Sequence, residues 1–405
     1  MTAKCKTQAL TNAFRSVTVV PMRKRTVLLL IETSRAFGRG LLQGISRHAL
    51  ETDDWIVHVE DRGLLDSPPS WLKAWKGDGI ISRSSSFALA QTLRGKNVPM
   101  VELLGNGVRI LPEVHSDEDI VAKLAVEHFA QAGFTDFAFF AIGNAWWSQL
   151  RQEAFCRMVA EHHGTAHIFP FAGIGKRTFY PTWEPRYDSA MQRWLQRLPK
   201  PIAVWAVSDA LAVRLVECCR RLDIAVPEEI VILGTTNDTL LCNTLTPPLS
   251  SIDLDSFNVG YIAAERLAQK MNGITPTEPT ELVPPLGIVA RRSTDIIACH
   301  DRRIAAAVRF IRTNATTKIN VDDIARFVDM PRRTLLRHFQ TLLGHSVEWE
   351  IMKARMDRAK RLLVETDFTL SAIAIKVGYA TTDYFVQAFR REIGLTPHQY
   401  RLKNR

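Results

Sequence analysis

Six cysteines in 405 residues, none in a CxxC pair and none at a spacing to histidine that builds a zinc site, exclude a disulfide framework and a structural metal cluster. Cys5, Cys156, Cys218, Cys219, Cys242 and Cys299 read as reduced thiols. Long apolar runs are missing too. The longest near the start, Val27 to Ile31, falls far short of a signal-peptide core or the roughly 20 residues of a membrane span, so the expected location is the cytoplasm, with no membrane partner. Neither a GxGxxG turn, a P-loop nor a nucleophile elbow occurs, which argues against an enzyme: no catalytic residue, no metal ligand and no cofactor is expected. Glu161, His162 and His163 read as a solvated helix end.

What is present is ordinary globular composition, 46% apolar and 23% charged, over a length that suggests two or three domains. The net charge of +10 is unevenly placed. Residues 301–405 hold 20 Lys and Arg against 11 Asp and Glu, a net of +9, whereas residues 1–300 hold 32 against 31, a net of +1. Positive charge concentrated in one module is the footprint of a nucleic-acid binder. Residues 1–25, with Lys4, Lys6, Arg15, Arg23, Lys24 and Arg25, show no useful periodicity and read as a flexible basic leader.

From Thr26 to about Arg292, short β-branched runs alternate with longer amphipathic segments, the pattern of βαβ units around a parallel sheet. Residues 26–31, 55–60, 79–81, 99–104, 137–142, 166–170, 202–207 and 230–235 are the candidate strands. Gly38 to Leu50, Asp119 to Ala132, Ser148 to His162, Tyr187 to Arg197, Asp209 to Leu222 and Ser256 to Met271 are candidate helices. Ligands in such folds bind beyond the carboxyl ends of strands. Three loops there carry polar groups: Glu32-Thr33-Ser34-Arg35, Ser208-Asp209 and Thr235-Thr236-Asn237-Asp238. The prolines and glycine after Leu282 break the periodicity, and from Asp301 the pattern is helical throughout. The domain boundary is therefore set near 293–300, giving a first domain over 26–295 and a second over 300–405.

The second domain contains a duplication at a spacing of about 50. Ile324, Ala325 and Val328 recur as Ile373, Ala374 and Val377; Phe339 and Gly344 recur as Phe389 and Gly394. Each unit reads as a helix capped by Asn320 or Thr369, a tight turn, and a second helix rich in polar residues, with a linking helix from about Val347 to Val364 between the units. That is a double helix-turn-helix. Recognition helices present one face to base edges while flanking cations hold phosphates. In the first unit Arg332, Arg333, Leu336 and Arg337 project from that face; in the second, Thr381, Thr382, Asp383 and Gln387 do, with Arg390 and Arg391 placed for phosphates. The closing run Phe389-Arg-Arg-Glu-Ile-Gly-Leu-Thr-Pro-His-Gln-Tyr400-Arg401 is similar to the signature of AraC-family transcription regulators, a resemblance that covers residues 301–402.

Residues 26–292 resemble the periplasmic-binding-protein-like core of LacI-type repressors, most clearly from Val207 to Leu267, where Pro247-Pro248-Leu249-Ser250-Ser251-Ile252 looks like a return connection between two lobes. The whole chain resembles AraC-family regulators of the xylose-operon-activator type. The resemblance implies an α/β two-lobed sugar-binding domain followed by an all-α double helix-turn-helix domain. It places Arg151, Asp209 and Asn237 as groups that grip sugar hydroxyls, and adds Ser34, Arg35, Phe37 and Asp117 from the first lobe; Phe37, Trp146 and Trp147 are candidates to stack on a sugar face. Two positions depart from the family pattern, Gly38 and Thr236 standing where an acidic side chain is usual. Expected partners are double-stranded operator DNA, a small sugar effector, a second copy in a homodimer, and RNA polymerase for an activator. The residues leave the effector open among pentoses, hexoses and phosphorylated sugars, with neutral sugars favoured. A transport component and a regulator with a non-sugar effector remain as alternatives.

Overall fold

A computed structural model describes residues 23–64, 66–84, 87–104, 112–141, 145–170, 185–274, 278–295, 301–317 and 319–404. Of the leader expected at 1–25, residues 1–22 lie outside them, as do 296–300 of the expected boundary. In chain order the first elements are β1 (Arg25–Leu30), α1 (Ala36–Thr52), β2 (Trp55–Glu60), β3 (Gly79–Ser82), α2 (Phe87–Arg94), β4 (Met100–Glu102), β5 (Glu113–Ser116), α3 (Glu118–Gln131), β6 (Asp136–Phe140) and α4 (Trp146–Glu161). They continue with β7 (Thr165–Ile168), α5 (Pro185–Arg197), β8 (Ile202–Ala206), α6 (Asp209–Arg221), β9 (Ile230–Thr235), α7 (Thr239–Thr244), β10 (Ser250–Asp253), α8 (Ser256–Met271), β11 (Thr280–Val283) and β12 (Gly287–Val289).

Each apolar run nominated as a strand is one. β5, β10, β11 and β12 were not foreseen, because their sequences EVHS, SSID, TELV and GIV are short or polar. β12 corrects the reading of the segment after Leu282 as mere breaker: Pro284 and Pro285 precede the strand instead of abolishing it.

The strands form two sheets, in the orders β11-β5-β4-β3-β1-β2 and β12-β10-β9-β8-β6-β7. Every pairing is parallel except β10 with β12. Each sheet is the floor of one lobe. The chain passes between lobes after β5, after β10 and after β11. Continuous aliphatic and aromatic strands such as β1, β8 and β9 suit a sheet covered on both faces by helices. The largest fully buried side chain, Trp205 on β8, meets its polar obligation by donating Nε1–H to Thr235 Oγ1 at 2.9 Å.

The C-terminal part comprises α9 (Arg302–Asn314), α10 (Val321–Phe327), α11 (Arg332–His338), a π turn over Phe339–Leu343, α12 (Val347–Glu365), α13 (Leu370–Lys376), α14 (Thr382–Ile393) and α15 (Pro397–Asn404). The repeat is real in packing as well as in sequence. Two separate cores form, one around Leu335 and Phe339, the other around Phe385 and Phe389, and α12 contributes to both. Asn320 caps α10 in a reciprocal box with Asp323, and Thr369 accepts from the Ala372 amide at 3.2 Å. In the second turn Gly378 has φ +82, and a Cβ there would stand 3.0 Å from the Thr316 carbonyl, so position and conformation both call for glycine.

Candidate ligand cleft and nucleic-acid interface

The two sheets point the carboxyl ends of β1, β3, β4 and β5 at those of β8 and β9, and a cleft of about 710 Å³ of free space, open mouth included, lies between them. The first lobe lines it with Arg35, Phe37, Arg83, Leu103, Leu104, His115 and Ser116. The second lobe adds Trp147, Arg151, Val207, Ser208, Asp209, Thr236 and Asp238, and Glu118 enters from the start of α3.

Arg151 is 2% exposed, although a guanidinium in a helix is usually a surface group. It is held by Glu118, to which Nε and Nη2 both donate, and by the Val207 carbonyl, which accepts from Nη1 at 2.8 Å. A bidentate pair of this kind fixes both partners. Asp209 is 1% exposed and does not cap its own helix; Ser208 occupies that position. Its carboxylate accepts from the Ser251 hydroxyl at 2.6 Å, the Asp238 amide at 2.7 Å and the Thr236 hydroxyl at 3.0 Å. Burial pushes the Asp209 carboxyl up to about 6, against the pull of those hydrogen bonds.

Four of the seven expected ligand residues, Arg35, Phe37, Arg151 and Asp209, line the cleft together. Three do not. Ser34 turns its hydroxyl to Glu32 at 2.6 Å. Asp117 caps α3, accepting from the Asp119 and Ile120 amides at 3.1 Å, and it is the next residue, Glu118, that reaches the cleft. Asn237, in left-handed backbone at φ +48, donates to Asp253 at 3.0 Å and accepts from Arg291 at 2.9 Å. Trp147 lines the cleft, whereas Trp146 is 43% exposed and does not. One face of Phe37 is covered by Arg83, whose guanidinium carbon is 5.0 Å from the ring centroid.

The two departures from the family pattern have local causes. Gly38 sits where a Cβ would collide with the Glu32 carbonyl, so no side chain of any charge fits there. Thr236 has φ +102 and places its hydroxyl on Asp209.

Arg83, His115 and Glu118 were missed by reading the sequence for ligand groups, whereas Ser208, Thr236 and Asp238 lie in loops that the strand-end rule had already marked. Arg83 directly follows β3, and the rule applied to the other strand ends would have found it. His115 lies on β5, a strand hidden by its polar residues. Two buried polar atoms in the cleft wall, Trp147 Nε1 and Ser208 Oγ, have no hydrogen-bond partner among the described residues. Unpartnered buried polar atoms also occur elsewhere in the chain, but these two share one cleft, where a polar guest would complete their bonding.

On the C-terminal repeat, Arg332, Arg333 and Arg337 of the first unit and Thr381, Asp383, Gln387, Arg390 and Arg391 of the second are exposed. Thr382 is half-buried. Leu336 corrects the expectation that it projects away from the apolar side with the arginines: it is half-buried and packs on the first unit's core, because in a seven-residue helix the position after buried Leu335 flanks the core side. Thr381 accepts from the Tyr384 amide at 3.3 Å as the cap of α14, and Arg332 donates to Asp322 at 2.8 Å. Tyr384, 61% exposed, stands on the same face of α14 and escaped the sequence reading because an aromatic at helical spacing reads as core.

Among the described residues no three His, Cys, Asp or Glu side chains gather as metal ligands, and no helix is long and apolar enough to cross a membrane.

Comparison with known proteins agrees with this two-part construction. Residues 126–294 match the family described as periplasmic binding protein-like domain, and residues 324–403 match a helix-turn-helix domain family. The xylose operon regulatory protein of Escherichia coli (strain K12) is 27% identical over 390 residues, covering 94% of this chain and 97% of that protein. Its counterpart from Haemophilus influenzae is 26% identical, over 93% of this chain and 98% of that one. A solved structure described as a xylose-binding transcription activator superposes with a TM-score of 0.76 at 25% identity, over 94% of this chain and 99% of that one.

Proposed function

Because the chain belongs to the AraC-type transcription regulators that carry a periplasmic-binding-protein-like domain, we propose that it is a sugar-gated, sequence-specific DNA-binding regulator of genes for D-xylose or a related pentose. The observation that carries the ligand class is the pair of unpartnered polar atoms, Trp147 Nε1 and Ser208 Oγ, flanked by the Arg151–Glu118 pair and by Asp209. A sugar offers adjacent hydroxyls that both donate and accept, and it satisfies donors and acceptors at once. Charge argues for a neutral sugar. Each guanidinium in the cleft already faces a carboxylate: Arg35 and Arg83 stand 3.5 and 3.4 Å from Glu32, and Arg151 is paired with Glu118. With Asp209 and Asp238 also on the wall, carboxylates outnumber guanidinium groups there among the described residues, so no net positive charge is left to hold a phosphate.

The sugar acts by bringing the lobes together. Arg39 of α1 and Asp238, before α7, stand 4.0 Å apart at the cleft, one from each lobe, so a guest that draws the lobes closer also strengthens this contact. Closure then selects one arrangement of a homodimer whose helix-turn-helix units engage repeated half-sites in the cytoplasm, with RNA polymerase as the further partner. Coupling of this kind requires that the sugar bind one of the two states more tightly.

Thermal unfolding of the purified chain against a panel of pentoses, hexoses and their phosphates tests the reading. A ligand of the folded state raises the midpoint by mass action. We expect a shift with a neutral pentose that is reduced in Ser208→Ala, which removes only the unpartnered hydroxyl, and in Trp147→Phe, which removes the N–H together with part of the ring. A shift confined to sugar phosphates contradicts the neutral-sugar reading, and no shift with any sugar points to another effector. For DNA, Arg333→Ala and Arg337→Ala are expected to weaken operator binding by about 1–3 kcal/mol each where they contact bases, and to flatten its salt dependence by about one phosphate where they contact the backbone.

A further inference from the structure

A second cavity, about 1360 Å³ of free space with open solvent included, opens where the second lobe meets the C-terminal helices. One wall is the α6–β9 and α7–β10 connections with the segment after β12; the other is α9 and α12. Six cations line it: Arg292 from the lobe side, Arg309 and Arg312 from α9, and Lys353, Arg358 and Arg361 from α12. Only four carboxylates face them, those of Glu228, Asp295, Glu350 and Asp357.

The carboxylates do not neutralise the cations evenly. Asp295 is taken by Lys353 at 2.5 Å with Arg312 at 3.8 Å, and Glu350 by Arg312 Nε at 2.9 Å. Arg309 reaches Glu228 only at 3.9 Å. Arg312, with its side chain 6% exposed, leaves Nη1 buried and without an acceptor. The guanidinium groups of Arg292 and Arg358 make no ion pair with any described residue. Burial, and after it the proximity of Arg361 and Arg312, pulls Arg292 below its ordinary value against the opposing pull of Asp295 and Glu228. Burial also pushes the Glu228 and Asp357 carboxyls up, so these two hold their negative charge less firmly than surface carboxylates.

We propose that this interdomain cavity is a binding site for a small phosphate-bearing anion. Planar guanidinium groups with unshared N–H donors match the oxygens of phosphate, and a buried donor lacking a partner is completed by such a guest. Arg292 belongs to the sensor domain and Arg312 and Arg358 to the DNA-binding domain, so an anion bridging them fixes the angle between the two. The site gives the regulator a second chemical input, separate from the sugar cleft and independent of which sugar that cleft takes. Phosphate chemistry is also supplied by the DNA backbone, and the test separates the two sources.

The experiment is calorimetric titration of the full-length chain with pyrophosphate, against chloride at matched ionic strength. We expect saturable pyrophosphate binding, weakened on the order of tenfold in Arg292→Gln and in Arg358→Gln, each of which removes a donor to a charged acceptor. Neither variant should alter the thermal shift given by the neutral sugar. Arg312→Gln is the less clean variant, since it also takes a cation away from Asp295 and Glu350. Pyrophosphate binding no stronger than that of chloride overturns the proposal. So does binding unchanged in both variants, or binding lost instead in Arg333→Ala, which would place the anion on the DNA-reading face. A loss of operator affinity in Arg292→Gln and Arg358→Gln, with pyrophosphate binding intact, would name the DNA backbone as the occupant and likewise overturn it.

Discussion

The cleft between the lobes and the reading faces of the C-terminal repeat use the same residue type in opposite ways. In the cleft, Arg151 and Asp209 are 2% and 1% exposed and their polar atoms are shared with Glu118, Val207, Ser251 and Thr236. On the repeat, Arg332, Arg333, Arg337, Arg390 and Arg391 stand in solvent. A buried charge network specifies geometry and is costly to interrupt; exposed cations cost the fold almost nothing and act on a partner. The molecule thus separates a region of fixed geometry, the small cleft with its interlocked polar groups, from a region of exposed charge on the helices of the repeat.

The most severe way to break this contrast is Arg151→Ala set beside Arg337→Ala. Removing Arg151 leaves Glu118 and the Val207 carbonyl without their donor in a mostly buried site, a loss on the order of 3–5 kcal/mol in folding stability. Arg337→Ala is expected to change stability by no more than about 0.5 kcal/mol while weakening operator binding. Urea denaturation of both variants decides the matter: equal losses would show that the exposed arginine is as structural as the buried one.

A second prediction sharpens the sensor side. Glu102, at the end of β4, is buried beneath the cleft floor, with the Ser82 hydroxyl donating to one oxygen and the Ser84 amide to the other at 3.0 Å. Burial pushes its carboxyl up to about 7. A carboxyl whose folded-state value is raised holds its proton more tightly when folded, so its contribution is complete below about 4.5 and is lost as pH rises through about 7. The full shift corresponds to roughly 3 kcal/mol. In Glu102→Gln the Ser84 amide keeps an acceptor and the Ser82 hydroxyl can turn to accept. The variant is therefore expected to gain on the parent steadily from pH 5 to pH 8 in guanidinium unfolding, and a pH-independent difference would show that Glu102 stays charged throughout.

The contrast also explains what the sequence made legible. The repeat declared itself because helix periodicity, the caps at Asn320 and Thr369 and the recurring Phe–Gly spacing are local signals, and the exposed arginines lie in sequence beside the helices that present them. The cleft is assembled from strand ends far apart in the chain. Arg151 came from family resemblance and Asp209 from that and its place after a strand, but Glu118 was missed by one residue in favour of Asp117, since a helix cap and a cleft-lining group differ there by a single step along the chain. Asn237 carries the chemistry of a ligand and is engaged by Arg291 and Asp253, neighbours that only the fold brings near. Strands β5 and β10 escaped notice because glutamate and serine occupy buried positions in them, where partners replace apolar contact.

The smallest expected effect tests the two halves of the repeat against each other. The turn of the first unit places Asp329 at φ +48, and the corresponding position of the second is Gly378 at φ +82. Left-handed backbone costs an ordinary residue about 1–2 kcal/mol, less for aspartate, and glycine avoids this while giving back part of the gain in unfolded-state entropy. Asp329→Gly should therefore stabilise the chain slightly, by about 0.5 kcal/mol, whereas Gly378→Ala should destabilise it by more, since the new Cβ also meets the Thr316 carbonyl. Both are read from denaturant midpoints at unchanged slope. Destabilisation by Asp329→Gly would mean that the exposed carboxylate stabilises the first turn by more than its backbone strain costs, and the two units would then differ in how their turns are held as well as in the faces they present.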